Sequence, residues 1–158
     1  MRELEILKFP NPSLKKPSVE VDQIDDSIRQ FAKDLLTTMY AQKGIGLSAP
    51  QVNRHIRVIA VDTQAMGLTS LEKEIKFPLV LVNPVVLKKR GKTSFQEGCL
   101  SVPNYFGWVD RAKEIYLEAL NLEGEKVQFW IDGMTSICIQ HEIDHLDGKL
   151  FLDHLSNG

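Results

Sequence analysis

The chain has 158 residues, 43% of them apolar and 25% charged, with a net charge of -2. That balance fits one soluble globular domain over residues 1–158 with a core of its own. The densest basic run is Lys88-Lys89-Arg90, too little for a nucleic-acid partner, since phosphate binding needs a concentrated basic face. No stretch approaches the ~20 apolar residues of a membrane span. Met1-Arg2-Glu3-Leu4-Glu5 lacks the apolar core of a secretion signal, so the expectation is a cytoplasmic protein with no membrane partner.

Residues 1–22 hold Pro10, Pro12 and Pro17 and read as an extended lead-in on the surface. Then Ile24, Ile28, Phe31, Ala32, Leu35, Leu36, Met39 and Tyr40 recur every three or four residues, which predicts an amphipathic helix. Asp22 or Asp25 caps its start and Gly44 ends it. Gly44-Ile45-Gly46-Leu47-Ser48-Ala49-Pro50-Gln51 suits neither a helix nor a central strand. By composition it is a helix-to-strand turn; the competing reading is a substrate-lining segment with Gln51 as a neutral hydrogen-bond donor.

Residues 56–61 predict a strand, 63–76 a polar loop, and 79–87 strands or one strand bent at Pro84. Residues 93–96 lead into Glu97-Gly98-Cys99-Leu100-Ser101, an irregular stretch where a side chain can be aimed. Further strands are expected at 107–109, 115–120 and 127–131, the last two joined by a turn at 121–125. Asp132-Gly133 opens a second helix and Gly148 stops it.

That helix carries Gln140-His141-Glu142-Ile143-Asp144-His145, an H-E-x-x-H spacing. On a helix, His141 and His145 share a face one turn apart, the separation at which two imidazoles hold one metal. Glu142, roughly 100° around the axis, is not needed as a ligand and is placed to take a proton from a metal-bound water. The string also occurs by chance, and paired His are often ordinary core or surface residues. Here Met134, Ile137, Cys138, His141 and His145 recur at helical spacing, so the face points inward. Two buried unpaired imidazoles would be costly, and two ligated ones would not. The fold class expected is therefore α+β: mostly antiparallel short strands packed around a C-terminal metal-binding helix, with one early amphipathic helix.

Such a site needs a third protein ligand. Downstream, the pattern H-E-x-x-H-x-x-G-x-x-H meets Gly148 and then Phe151, which cannot bind metal; Asp153 and His154 have the wrong spacing. Upstream, Cys99 is the best candidate. Cys138, one turn before His141, is weaker and reads as a small core residue. Neither cysteine reads as half of a structural disulfide in a reducing compartment. A Cys with two His leaves one open position, the layout of a catalytic site, and such ligands suit zinc, iron, cobalt or nickel.

Three stretches, residues 44–51, 97–101 and 140–146, resemble in order the three signature motifs of the peptide deformylase family, and Phe9-Pro10-Asn11-Pro12-Ser13-Leu14 resembles its opening. The resemblance covers essentially the whole chain. Ser48 stands where the family usually has Ala, and the long C-terminal helix that helps many bacterial members dock on the ribosome is not among the 158 residues. The chain thus resembles short forms, bacterial, phage or organellar, and ribosome association is left open.

The resemblance implies a hydrolase that removes the N-formyl group from N-formyl-methionyl peptides and releases formate. It implies one divalent metal on Cys99, His141 and His145, with Fe(II) as the working ion and Zn, Ni or Co as alternatives. A metal-activated hydroxide would attack the formyl carbon, with Glu142 as general base and then acid. The side-chain amide of Gln51 and the backbone N–H of Leu100 would stabilise the oxyanion. Ile45, Phe95, Ile137, Cys138 and His141 would line a methionine pocket. The peptide would run extended along Gly46, Glu97 and Gly98–Leu100. Glu97, Arg111 and Asp144 are expected to orient the ligand rings; a surface salt bridge is the alternative for Arg111. Two other function classes stand beside this one: a metallopeptidase with the same ligands, and an inactive metal-binding protein.

Overall fold

The computed structural model describes residues 2–64 and 75–155. Most of the expected polar loop at 63–76 lies outside the described residues. The early helix, α1 (Asp26–Ala41), forms where the periodicity places it. Asp25 caps it, its Oδ1 accepting from the Ile28 N–H at 3.1 Å. The helix ends differently from expectation: Lys43 takes the left-handed conformation (φ 58°), and the Gly44 N–H closes onto the Met39 carbonyl at 2.9 Å. Gly44 is needed for room, because a Cβ there would fall 2.8 Å from Leu100 Cδ1.

The strands are β1 (Gly46–Ser48), β2 (Val58–Val61), β3 (Leu79–Arg90), β4 (Thr93–Cys99), β5 (Val102–Arg111), β6 (Glu114–Leu120) and β7 (Lys126–Asp132). Five of them form an antiparallel sheet in the order β1-β2-β3-β6-β7, and β4 and β5 form a separate hairpin. The bend at Pro84 is a bulge inside one strand: the register slips between Val82 and Val85, and Asn83 has φ 52°. The Asn83 carboxamide brackets the Val21 backbone, accepting from its N–H at 2.8 Å and donating to its carbonyl at 3.0 Å.

Beyond the sheet, the second helix α2 (Gly133–Leu146) is buried almost all round from Thr135 to Glu142. Strand β2 is buried on both faces, and its alternation shows why. Ile59 and Val61 pack with Leu81, Ile115, Leu117 and Ile131 against Ile139 and Leu146 of α2. Val58 and Ala60 pack with Leu47 and Val82 against Phe31, Leu35 and Met39 of α1. The sheet is thus a wall between the helices, and β4–β5 closes over the far side of α2.

Two expectations are corrected. The lead-in is not confined to the surface: Ile6 and Leu14 are buried. Its backbone also straps two signature stretches together, Leu7 N–H to the Gln51 carbonyl and Phe9 N–H to the Ser101 carbonyl, both at 2.7 Å. Nor is the stretch around Cys99 irregular. Residues 93–99 are strand, and Cys99 pairs with Val102 across a tight turn at Leu100–Ser101. The short turns at Pro12–Lys15 and Phe151–His154 pack beneath this hairpin, where Leu14, Val102, Val109, Leu150 and Phe151 form a third apolar cluster. Among the described residues, no helix is long and apolar enough to cross a membrane.

Phe151 is 1% exposed in that cluster. Phe151→Ala is expected to lower stability by about 3–5 kcal/mol, read as a fall in the urea midpoint at constant m. A loss below about 1 kcal/mol, within the range of ordinary surface substitutions, would show that the cluster does not hold the hairpin down.

Candidate active site

The hairpin alternates around its buried charges, over residues 93–97 and 107–111. Glu97, Val109 and Arg111 turn inward and are buried, while Gln96, Phe106 and Trp108 turn outward. The inward Glu97 meets Arg111 in a two-pronged ion pair, Nε to Oε2 and Nη2 to Oε1, each 2.8 Å. Arg111 also donates to Asp144 Oδ2 on α2 at 2.6 Å. The Arg111 and Glu97 side chains are each 4% exposed, so this is no surface salt bridge.

The same Glu97 accepts from His141 Nδ1 at 2.9 Å. Burial alone would raise the Glu97 pKa, but the hydrogen bonds from Arg111 and His141 outweigh it and hold it down to about 2. An ionised carboxylate only accepts, so Nδ1 carries a proton and Nε2 is the ring atom that faces the site.

Three donor atoms converge there. Cys99 Sγ, His141 Nε2 and His145 Nε2 all lie within 4.8 Å of one another. The two Nε2 atoms are 3.2 Å apart and the sulfur is 3.3 Å from His145 Nε2. A tetrahedral ion with bonds of about 2.0–2.3 Å sets its ligand atoms roughly 3.3–3.6 Å apart, so the set fits one divalent metal. Burial holds His145 well below the ordinary imidazole pKa and keeps it neutral as a ligand must be. Cys138 is excluded as the thiolate. Burial, then the Glu142 charge, pushes its pKa well up, and its thiol donates to the Ile45 carbonyl at 3.6 Å.

Glu142 is 3% exposed, and its Oε1 has no hydrogen-bond partner among the described residues. Burial raises its pKa to about 7, which suits a group that takes and returns a proton near neutral pH. Gly46 lets β1 reach this point, because a Cβ would stand 2.5 Å from Cys138 Sγ and 2.7 Å from Glu142 Oε2.

Gln51 sits on the short turn Ala49–Val52 and is 1% exposed. Its Oε1 accepts from the Ser48 N–H at 3.0 Å and the Ser48 hydroxyl at 2.9 Å. A backbone N–H can only donate, which settles the amide's orientation. The NH₂ is therefore aimed at Ser101 Oγ, 3.0 Å, and Cys99 Sγ, 3.5 Å. Within residues 44–51, Gly46–Ser48 are strand, and Gly44, Ile45, Gly46 and Gln51 line a cleft. Composition missed the anchoring by Ser48 and Ser101, because these hydroxyls matter only once the two stretches meet.

A cleft of about 670 Å³ opens onto these groups. All seven positions expected to contact substrate line it: Ile45, Gly46, Phe95, Glu97, Gly98, Ile137 and Cys138. Glu97 spends its carboxylate on Arg111 and His141, so its contribution is to hold the ring. Met134, on the helix face that the sequence marked as inward, also lines the cleft, as do Tyr105 and Phe106, which carried no signal in the sequence. The downstream residues that a peptidase would have used are engaged elsewhere: Asp153 pairs with Lys15 at 2.8 Å and His154 with Asp144 at 2.7 Å.

The polypeptide deformylase family pattern matches residues 3–158. A peptide deformylase of Pseudoalteromonas translucida is 47% identical over 99% of this chain and 89% of its own length. The crystal structure of a peptide deformylase from Legionella pneumophila superposes with TM-score 0.89 at 35% identity, covering 98% of this chain and 87% of that one. The Ehrlichia chaffeensis peptide deformylase in complex with actinonin superposes with TM-score 0.90 at 36% identity, covering 99% and 91%.

Removing the Glu97 charge tests the buried network. Glu97→Gln is expected to cost about 3 kcal/mol at neutral pH, because it strips buried Arg111 of its two-pronged carboxylate and leaves Asp144 to carry the guanidinium charge. Glu97 is held below its ordinary 4.5, so its contribution is complete above that pH and is lost as pH falls toward about 2. Urea titrations of both proteins should therefore converge across that window. A gap that stays constant down to pH 2 would assign the effect to packing.

Proposed function

The chain belongs to the peptide deformylase family, hydrolases of the N-formyl amide of nascent polypeptides, and we propose that the cleft bounded by β1, the β4–β5 hairpin and α2 carries that reaction. The observation that carries the reading is the convergence of three donor atoms beside a buried carboxylate and an oriented amide. Cys99 Sγ and the Nε2 atoms of His141 and His145 would hold one divalent cation. When bound, it supplies Lewis acidity, polarising a carbonyl oxygen and acidifying water.

The remaining work falls to the chain's own groups. Glu142 takes the proton from the attacking water at its unpartnered Oε1 and returns it to the leaving amine. Gln51 presents an N–H to the oxygen on which charge develops, and its orientation is set beforehand by Ser48. The backbone N–H of Leu100, next to Cys99 in the hairpin turn, is the second donor to that oxygen. Ile45, Ile137, Cys138 and Phe95 receive the methionine side chain, and the apolar wall keeps bulk water from the reacting carbon. Arg111, through Glu97, holds His141 in one tautomer. Fe(II) is the ion we assign, with Zn, Ni and Co able to occupy the same ligands. The substrates are formylated nascent chains, met in the cytoplasm as they are made.

The test is formate release from formyl-Met-Ala-Ser by protein loaded anaerobically with Fe(II). Glu142→Ala is expected to abolish release while retaining one equivalent of metal. Gln51→Ala should lower kcat by about 10²–10³, again with metal retained. No formate from folded, metal-replete wild type would overturn the reading, and near-normal turnover by Gln51→Ala would remove that residue from the mechanism.

A further inference from the structure

We propose that Phe106, flanked by Tyr105 and Trp108, is a specificity-determining lip that favours formyl-methionyl peptides whose next residues are apolar. The proposal rests on the deformylase reading of the cleft and extends it to the part of the substrate beyond methionine.

Strand β5 exposes three large aromatic side chains within four residues: Tyr105 at 62%, Phe106 at 67% and Trp108 at 67%. Their rings add little to folding, since Val102 and Val109 supply the buried side of the strand. Clustered exposed rings mark a surface that meets something else. Their placement indicates what it meets. Phe106 and Tyr105 line the mouth of the cleft that holds Cys99, His141 and Glu142. Phe106 reaches it by lying across β4 on Gly98, where a Cβ would come within 2.6 Å of its ring. Gly98 directly precedes Cys99, so the ring lies over the strand one residue before that donor.

Trp108 continues the same outward face two residues on, opposite Gln96, at a spacing of about 7 Å along the strand. That is also the spacing of alternate side chains on an extended peptide. Among the described residues, β4 pairs only with β5, which leaves its other edge open toward the cleft. A peptide leaving the methionine pocket along that edge sets alternate side chains over Gly98 and Gln96, within reach of the rings. Neither the methionine pocket nor the proton chemistry uses these three residues, so their effect falls on the binding of residues two to four.

The test compares formyl-Met-Phe-Leu with formyl-Met-Ser-Asn, both uncharged in their side chains. Wild type should show a KM about three- to tenfold lower for the apolar peptide, the fold-change expected from one or two aromatic contacts. Phe106→Ser should raise that KM until the two peptides are alike, with the change in KM and not in kcat. Phe106→Leu, which keeps an apolar side chain over Gly98, should retain the preference. Equal KM values in wild type, or a preference that survives Phe106→Ser combined with Trp108→Ser, would overturn the proposal. A concentration-dependent dimer in sedimentation that Trp108→Ser dissolves would also overturn it, by assigning the patch to a second copy of the chain. Failure of the deformylase reading looks different: neither peptide yields formate. Binding of the products Met-Phe-Leu and Met-Ser-Asn, followed by tryptophan fluorescence, then still decides whether the lip discriminates.

Discussion

The carboxylate of Glu97 is the point at which three elements are joined. It lies inside the β4–β5 hairpin, receives two hydrogen bonds from Arg111 on the partner strand, and receives a third from His141 on α2. Arg111 closes the circuit by reaching Asp144, one helical position before the ligand His145. Buried charges of this kind are tolerable only when every one is paired, and here the pairing dictates geometry. The hairpin can sit against the helix in one way only, and that way brings Cys99 Sγ to within 3.3 Å of His145 Nε2. The site is thus held by electrostatics behind it as much as by any metal in front.

Close backbone approach is the second constraint. β1 reaches the floor of the cleft because Gly46 has no Cβ to strike Cys138 and Glu142, and Phe106 lies on β4 because Gly98 has none to meet its ring. The N-terminal lead-in then fixes the two signature stretches relative to each other, bonding to the carbonyls of Gln51 and Ser101. Gln51 and Ser101 are already joined through their side chains, so the Gln51 amide is held from its backbone and from both ends of its carboxamide. An amide so held loses little orientation when charge develops beside it.

Some of this was legible in the residues. The period of Ile24 to Tyr40 marked α1, and the alternation of 115–120 and 127–131 marked β6 and β7, because one-sided burial writes its own period into the chain. The H-E-x-x-H spacing marked two ligands, since local helix geometry alone brings them to one face. Other features carried no such trace. The extent of β4 and β5 was underestimated because their outward faces bear Gln96, Phe106 and Trp108 in no clear pattern and their inward face holds a charged pair. The burial of Ile6 and Leu14 was missed because three prolines announce irregular backbone, which says nothing about whether irregular backbone is covered.

What the sequence by itself determined is what local spacing determines: the helix that carries His141, Glu142 and His145, and the sheet strands of one-sided burial. Beside it stood three ordered motifs that resemble one enzyme family. What only the tertiary structure decided is everything that depends on residues far apart along the chain. It brought Cys99, the sulfur the sequence already favoured, to within 3.3 Å of His145 Nε2. It decided for Arg111 between the expected carboxylate network and a surface salt bridge, burying it against Glu97, and oriented Gln51 through Ser48 and Ser101. It also raised Phe106 onto the rim of the cleft. The reason is the same in each case: a hydrogen bond or a pKa depends on which group lies within about 3 Å, and across 40 to 100 residues of chain only the packed fold sets that distance.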